Sequence, residues 1–528
     1  MYDYVIVGAG SAGCVLAARL SEDPTITVCL VEAGPDDDVE AIRIPVAGAH
    51  LRRTRYDWDY DTHPEAQCRG RRICLPRGRV LGGTSSINGM VHSRGSAAEF
   101  DRWQQPGWSY ADLLPYFKRS EANERGAGPY HGDSGPITVS ENRSRNPSMV
   151  AFLAAAEEAG FGLNDDFNGP SQLGFGFFQL NQRDGMRCSN ATAYLHPALS
   201  RPNLTVRTDT LVHRVLFDGD TAVGVAASRY GQELELRAER EVIVCGGAYN
   251  SPQILQLSGI GAAQLLSPLG IRVVLDQPAV GQNLRDHTHA LVVYQHSQPI
   301  SLLSAGDPDN VRLFTEQRRG PLTSPGPEAG GFVASGHRGA TPDLQFHALP
   351  VMFIEGGLTM PTEHGLTLGP DILYPDSSGS VQIGSTDPTA KPKIRHNYFA
   401  EPGDLELAVA GLRITLEIAR QAALKPFAEH PVVDLDPDSD VQLRRYVRTH
   451  SESAYHAAGS CAMGTVLDAE LRVHGVHNLR VVDASVMPTV FGNPNTPVTA
   501  IAERAADLIR GISPLQPEQV AIPQAEES

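Results

Sequence analysis

The chain opens on YDYVIVGAGSAGCVLAARL (residues 2–20), and its next apolar strand, ITVCLVEAG (26–34), ends at Glu32. Tyr2 to Val7 is β-rich and apolar, three glycines follow at Gly8, Gly10 and Gly13, and small residues then continue at helical spacing. Strand, G-x-G-x-x-G, helix and a downstream acid form the dinucleotide-binding pattern in its structural context. The first glycine permits a tight turn, the second lets backbone approach a pyrophosphate, and the third lets helix and strand pack closely. Free N–H groups at the helix start, with the helix dipole, favour the anion. Glu32 is placed to bond the 2′-OH of an adenosine ribose. On this stretch alone, NAD and FAD remain equally open.

The rest of the sequence bounds the answer. Its 528 residues suggest more than one domain. Charged residues at 20% and hydrophobic residues at 41% fit a globular chain, and a net charge of −17 argues against nucleic acid or an anionic membrane as partner. No apolar run reaches the ~18 residues of a membrane span. A strand begins at residue 2, which leaves no room for a leader and predicts a cytoplasmic protein. The 7 cysteines are scattered and form no C-x-x-C, in keeping with a reduced setting.

Further strand–turn–helix passages predict an α/β layer assembled from distant segments. REVIVCGGAYNSPQILQLSG (240–259) reads as a strand, a glycine pair and a helix beginning near Ser251-Pro252. NLRVVDASVMP (478–488) leads into TPVTAIAERAADLIRGI, where Val498, Ile501, Ala502, Ala505, Leu508, Ile509 and Ile512 keep helical spacing. Residues 204–228 read as hairpin-like strands around Gly219. Residues 296–400, rich in Pro, Gly and alternating apolar positions, suit an antiparallel sheet, and 404–424 a helix. The predicted organisation is a discontinuous Rossmann-like cofactor domain (1–295 and 440–512), a β-rich substrate domain (296–439), and a disordered tail (513–528).

Three more segments make the pattern specific. GRVLGGTSSINGM (78–90) and GAYNSPQILQLSGIG (247–261) resemble the two signature sequences of glucose-methanol-choline (GMC) flavin oxidoreductases. AYHAAGSCAMG (454–464) and the run through LRVVDASVMPTVFGNPNTPVTAIAE resemble that family's catalytic segment; DWDYDTHPE, HGDSGP and PAVGQNLRDH agree. The likeness extends over residues 1 to about 511 and implies FAD and alcohol oxidation. It implies cofactor contacts at Gly8, Gly10, Ser11, Ala12, Gly13, Glu32, Ala33, Arg79, Gly82, Gly83, Asn88, Gly89, Met90, Val91, Val212, Tyr455, Asp483, Ala484, Asn495 and Thr496.

Removing hydride from an alcohol also requires a base for the hydroxyl proton, and histidine suits neutral pH. The resemblance assigns this base to His456 and the second active-site position to Asn493, whose amide can hold the substrate oxygen but cannot take a proton. Where some relatives attach FAD through a histidine, this chain has Ile87, which implies noncovalent FAD. His92 either lies near the flavin or is a packing substitution. Choline-oxidising relatives imply an acid near VVYQHSQP; Gln295 stands there, which disfavours choline. Tyr294, Met352, Phe353 and Ile354 are either a substrate wall or sheet core.

His287-x-His289 and His474-x-x-His477 lack a companion set of metal ligands, so no metal is expected. The expected partners are a small-molecule alcohol and O₂ or another electron acceptor, with the chain a monomer or homodimer. Two rival readings are a hydroxynitrile-lyase-like enzyme that keeps FAD without net redox, and a flavoprotein in which FAD is only structural.

Overall fold

The computed structural model describes residues 1–337 and 339–520. Its first sheet has seven strands, ordered Leu204–Arg207, Val28–Val31, Tyr2–Val7, Gln232–Val244, Thr221–Arg229, Thr210–Asp218, with Leu479–Val481 also on Gln232–Val244. The Leu204–Arg207, Val28–Val31, Tyr2–Val7 and Leu479–Val481 pairings and the distal half of Gln232–Val244 are parallel. Parallel strands covered on both faces need near-continuous apolar sequence. Val5, Ile6, Cys29, Leu30, Val242, Ile243 and Val244 are accordingly buried. The proximal half of Gln232–Val244 pairs antiparallel with Thr221–Arg229, which turns back at Gly219 (φ 63°) onto Thr210–Asp218.

The second sheet is antiparallel and has eight strands, ordered His430–Pro431, Val292–Gln295, Gly365–Ile372, Leu344–Leu349, Ala329–Val333, Gly174–Phe177, with Thr288–His289 joining Gly365–Ile372 to Glu452–Ser453. Three of these strands come from before residue 296 and one from after 439, so the sheet crosses the boundaries read from composition. Edge strands are recruited by hydrogen-bonding partners, whichever stretch of chain supplies them. Helix Pro402–Ala419 packs on Gly365–Ile372; a side chain at Gly411 would meet Pro370.

Chain ends are joined by helix packing. Helix Ser11–Leu20 lies on helix Asn495–Arg510, and buried Glu503 accepts from Arg19 (2.8 Å), Arg119 (2.7 Å) and the Tyr194 hydroxyl (2.7 Å). Such a buried carboxylate is tolerable only because it is paired and hydrogen-bonded. Its effect is to register the glycine loop at residue 8 against the segment near residue 495.

Two local expectations change. Helix Gly247–Leu257 starts four residues before Ser251 and contains Pro252. Proline there removes the N–H that would bond the Ala248 carbonyl, and the Ser460 hydroxyl donates to that carbonyl instead at 2.5 Å. Of the tail, residues 513–520 lie against helix Tyr110–Ser120: Leu515 N–H donates to the Tyr116 hydroxyl (3.0 Å), and Lys118 pairs with Glu518 at 2.7 Å. Residues 521–528 lie outside the described residues.

Candidate active site

A cavity of about 690 Å³ runs from the first sheet to the second, within the size range of small-molecule and cofactor sites. Gly8, Gly10, Ser11, Ala12, Glu32, Ala33 and Val212 line one end; Gly83, Asn88, Gly89, Met90 and Val91 line the middle with Asp483 and Ala484. Tyr455, His456, Asn493 and Asn495 line the other end, beside His289, His347, Met352 and Phe353.

The first end fits a dinucleotide. Three helices, Ser11–Leu20, Gly247–Leu257 and Asn495–Arg510, begin on the cavity wall, and none is capped by the side chain of its N-cap residue. The helix starts at Ser11 and Asn495 offer N–H groups and positive dipole ends to an anion, whereas the start of Gly247–Leu257 is already engaged, with Gly246 N–H donating to Ser251 Oγ (3.0 Å) and Gly247 N–H to Asp483 (2.8 Å). Gly10 meets nothing closer than 4.0 Å where a Cβ would stand, whereas a Cβ on Gly13 would run into the Gly8 carbonyl oxygen. Gly10 therefore leaves room for a ligand, and Gly13 lets the helix close on the strand. Glu32 accepts from Ala9 N–H (2.9 Å) and Gly34 N–H (2.8 Å), and burial raises its carboxyl to about 7. Asp483 accepts from Gly247 N–H (2.8 Å) and the Ser251 hydroxyl (2.5 Å), and burial raises it as well.

At the far end, His456 and Asn493 meet. The His456 N–H of the backbone donates to Asp286 Oδ1 (2.8 Å), which fixes the turn carrying the imidazole. Asn493 Nδ2 lies 3.2 Å from His456 Nε2, and Asn493 Oδ1 accepts from Gln345 Nε2 at 3.1 Å. Gln345 Nε2 also reaches His347 Nε2 (3.2 Å), and His347 Nδ1 stands 3.0 Å from Asp371 Oδ2.

These distances define one proton arrangement. Asp371, fully buried and held far below the usual carboxylate range by His347 and His289 against the opposing effect of burial, is an acceptor only. His347 Nδ1 stands 3.0 Å from its Oδ2 as a charge contact without hydrogen-bond geometry, and His347 Nε2 lies 3.2 Å from the Gln345 amide nitrogen. The Gln345 amide donates to Asn493 Oδ1, which turns the Asn493 NH₂ toward His456 Nε2. That nitrogen is therefore a lone-pair acceptor, and the His456 proton sits on Nδ1, 2.9 Å from His287 Nδ1. Burial first, and His287 second, hold His456 well below the ordinary histidine value. Its neutral form faces the cavity.

Not every expected contact reaches the wall. Gly13, Arg79, Gly82 and Thr496 do not line the cavity. Gly82 (φ 83°) makes a turn whose N–H donates to the Ala9 carbonyl (2.8 Å), Arg79 stacks over Trp58 (5.2 Å), and Thr496 is buried against His92 (3.3 Å). His92 itself is buried between Asn181 and Glu121, each 2.9 Å from a ring nitrogen, and is absent from the wall. Met352 and Phe353 line the cavity, whereas Tyr294 belongs to the sheet core. Gln295 pairs with Gly365 and His430 in the sheet and does not face the site, so it says nothing about a cation subsite. Gln345, His347 and Asp371 went unread because they sit in ordinary alternating strands with no motif. Asp286 and His287 lie in PAVGQNLRDH, where their roles had no local signal.

Models of the N- and C-terminal parts of the GMC oxidoreductase family match residues 2–289 and 375–502. A mitochondrial choline dehydrogenase of Homo sapiens is 43% identical over 99% of this chain and 92% of its own length. An oxygen-dependent choline dehydrogenase of Pseudomonas savastanoi pv. phaseolicola is 43% identical over 97% of this chain and 94% of its own. Among solved structures, pyridoxine 4-oxidase from Mesorbium loti superposes with a TM-score of 0.89 at 29% identity, covering 97% of this chain and 100% of that one.

Proposed function

Because this chain belongs to the GMC oxidoreductase family, we propose that His456 takes the hydroxyl proton of its alcohol substrate while Asn493 holds the oxygen. The activity is FAD-dependent oxidation of an alcohol CH–OH to a carbonyl. Bound FAD supplies the hydride acceptor that protein side chains lack.

The observation that carries the assignment is the Asn493–His456 pair, 3.2 Å apart on the cavity wall. A hydroxyl entering between them donates to the lone pair on His456 Nε2 and accepts from the Asn493 amide. As the O–H bond breaks, negative charge grows on that oxygen, and the amide already points at it. The proton moves to His456 Nε2, while the Nδ1 proton stays bonded toward His287. Charging a buried imidazole is costly, and the nearby Asp371 anion offsets part of that cost.

Ile87 lines the cavity where an attachment residue would stand, and its hydrocarbon side chain supports noncovalent FAD. In this reading the FAD end is built from residues 1–295 and 440–512, and the substrate wall from His347, Met352 and Phe353 of 296–439 together with His289, Tyr455, His456 and Asn493 of the flanking segments. The 7 cysteines, all buried and unpaired, support a reducing compartment such as the cytoplasm. No helix among the described residues is long and apolar enough to cross a membrane.

The test is anaerobic mixing of the flavin-loaded enzyme with a panel of alcohols that includes choline. Loss of the oxidised-flavin absorbance, with carbonyl product, is expected. Carbonyl formation without bleaching would instead favour lyase chemistry, and readmission of air reports whether O₂ is the acceptor.

A further inference from the structure

We propose that the alcohol oxidised at His456 carries a carboxylate, received by the Arg52 guanidinium; the inference rests on the assignment of alcohol oxidation to that site. Arg52 lines the same cavity as His456, Asn493 and His347. Its guanidinium carbon stands 5.2 Å from the ring centroids of both Phe353 and Tyr455, and Tyr455 immediately precedes His456. The Tyr455 hydroxyl donates to the Gly356 carbonyl (3.2 Å), so the aromatic support is itself fixed.

The charge on Arg52 is unanswered among the described residues. It forms no ion pair among them, and its Nη1 is shielded from solvent without a hydrogen-bond partner. Its neighbours differ: Arg53 pairs with Asp59 (2.5 Å) and Asp61 (2.8 Å), and Arg71 pairs with Glu452 (2.9 Å). A second unfilled group lies on the same two rings. His289 is 7% exposed, its centroid is 6.3 Å from Phe353 and 6.4 Å from Tyr455, and its buried Nε2 has no partner. A ligand reaching this wall meets the part of the half-buried Arg52 guanidinium that remains accessible, while Arg52 Nη1 and the His289 Nε2 lie sealed just beneath the surface without partners.

The acids nearby do not reverse that sign. Glu32 and Asp483 are the acidic residues on the cavity wall, and both belong to the cofactor end. Glu452 is engaged by Arg71, and Asp371 lies between His347 (3.0 Å) and His289 (3.5 Å). A quaternary ammonium would seek aromatic faces or a carboxylate, but the faces of Phe353 and Tyr455 are already taken by the chain's own cation. The planar fork of arginine instead matches a carboxylate with two parallel hydrogen bonds.

The test uses the flavin-loaded enzyme with 4-hydroxybutanoate and 6-hydroxyhexanoate, the diols of equal length, and choline, read by anaerobic flavin bleaching. Hexanoate, which cannot react, is titrated separately by the perturbation of flavin absorbance. At least one hydroxy acid is expected to exceed its diol in kcat/KM by tenfold or more. R52Q is expected to shrink that ratio at least tenfold and to weaken hexanoate binding by a similar factor, with R52K intermediate. Choline or a diol as the best substrate, or a ratio unmoved in R52Q, would overturn the proposal while leaving alcohol oxidation intact. If no alcohol bleaches the flavin, the assignment of alcohol oxidation fails, and hexanoate binding to wild type but not R52Q still decides whether Arg52 is an anion site.

Discussion

The Asn493 amide donates to His456 Nε2 across 3.2 Å while its own oxygen is held by Gln345 at 3.1 Å. An asparagine side chain is nearly symmetric in shape, so only its hydrogen-bond partners decide which end faces the base. Here Gln345, whose amide nitrogen also lies 3.2 Å from His347 Nε2, makes that decision. The reactive pair is thus set from the second sheet, although His456 and Asn493 themselves belong to the C-terminal segment.

Replacing His456 with Gln removes the base but keeps an amide of similar reach. Flavin reduction by the best alcohol is expected to slow by about 10²–10⁴-fold, the usual contribution of a positioned base. The flavin spectrum of purified H456Q, unchanged from wild type, checks that the site still loads.

The pH dependence of that step follows from the direction of the His456 shift. A base held well below the ordinary histidine value is unprotonated at neutral pH, so reduction rates are expected to be flat through neutrality. They fall only on the acid side, with the limb lying below about 6.5. Stopped-flow rates from acid to neutral pH, in buffers of constant ionic strength, read this directly; a limb above 6.5 contradicts the assignment.

Gln345→Leu removes the donor that orients Asn493. One lost hydrogen bond of about 0.5–1.5 kcal/mol corresponds to a roughly two- to tenfold fall in kcat. Q345E, which presents acceptors where a donor is needed, is expected to be at least as impaired. A Gln345→Leu enzyme with unaltered kcat and pH profile would show that the relay does not position Asn493.

His396 offers a stability test from a residue behind the cavity wall. It is buried with its Nε2 2.9 Å from the Tyr249 hydroxyl, and burial lowers it to about 4. The unfolded chain takes up this proton near 6.5 and the folded protein only near 4, so His396 costs stability as pH falls between those values. The difference is about 3 kcal/mol at full effect. Relative to H396Q, wild type is therefore expected to lose ground from pH 6.5 to 4 and hold a constant offset above it, as read by denaturant titration of the flavin-loaded protein.

Ser460→Ala should leave the Ala248 carbonyl without its donor and cost about 1–3 kcal/mol. Combining it with Pro252→Ala restores a backbone N–H four residues on, so the second substitution is expected to recover part of the loss. Thermal denaturation of the two single variants and the double variant measures that coupling.

How much of this was legible beforehand differs by kind of residue. The glycine loop announced itself because Gly8 and Gly13 answer to local geometry, a positive φ of 102° and a close helix–strand contact, which leave a spacing in the sequence. His456 and Asn493 were found by resemblance of their segments. Arg52, His289, Gln345, His347 and Asp371 were not found, since a residue aimed at a cavity from an ordinary strand or loop carries no pattern of its own. Composition also misplaced the edge of the second sheet, because strands Gly174–Phe177 and Thr288–His289 join it through hydrogen bonds to partners far along the chain.

The sequence by itself determined the glycine loop, through short-range spacing that backbone sterics and helix geometry enforce, and the family, through the resemblance of several segments, which also carried the proposed pair His456 and Asn493. Tertiary structure alone decided which end of Asn493 faces His456 and which nitrogen of that imidazole is free. It also left the Arg52 charge unpaired among the described residues, above two aromatic rings. Those outcomes depend on burial and on partners brought from hundreds of residues away, and both exist only once the two sheets have closed around the cavity.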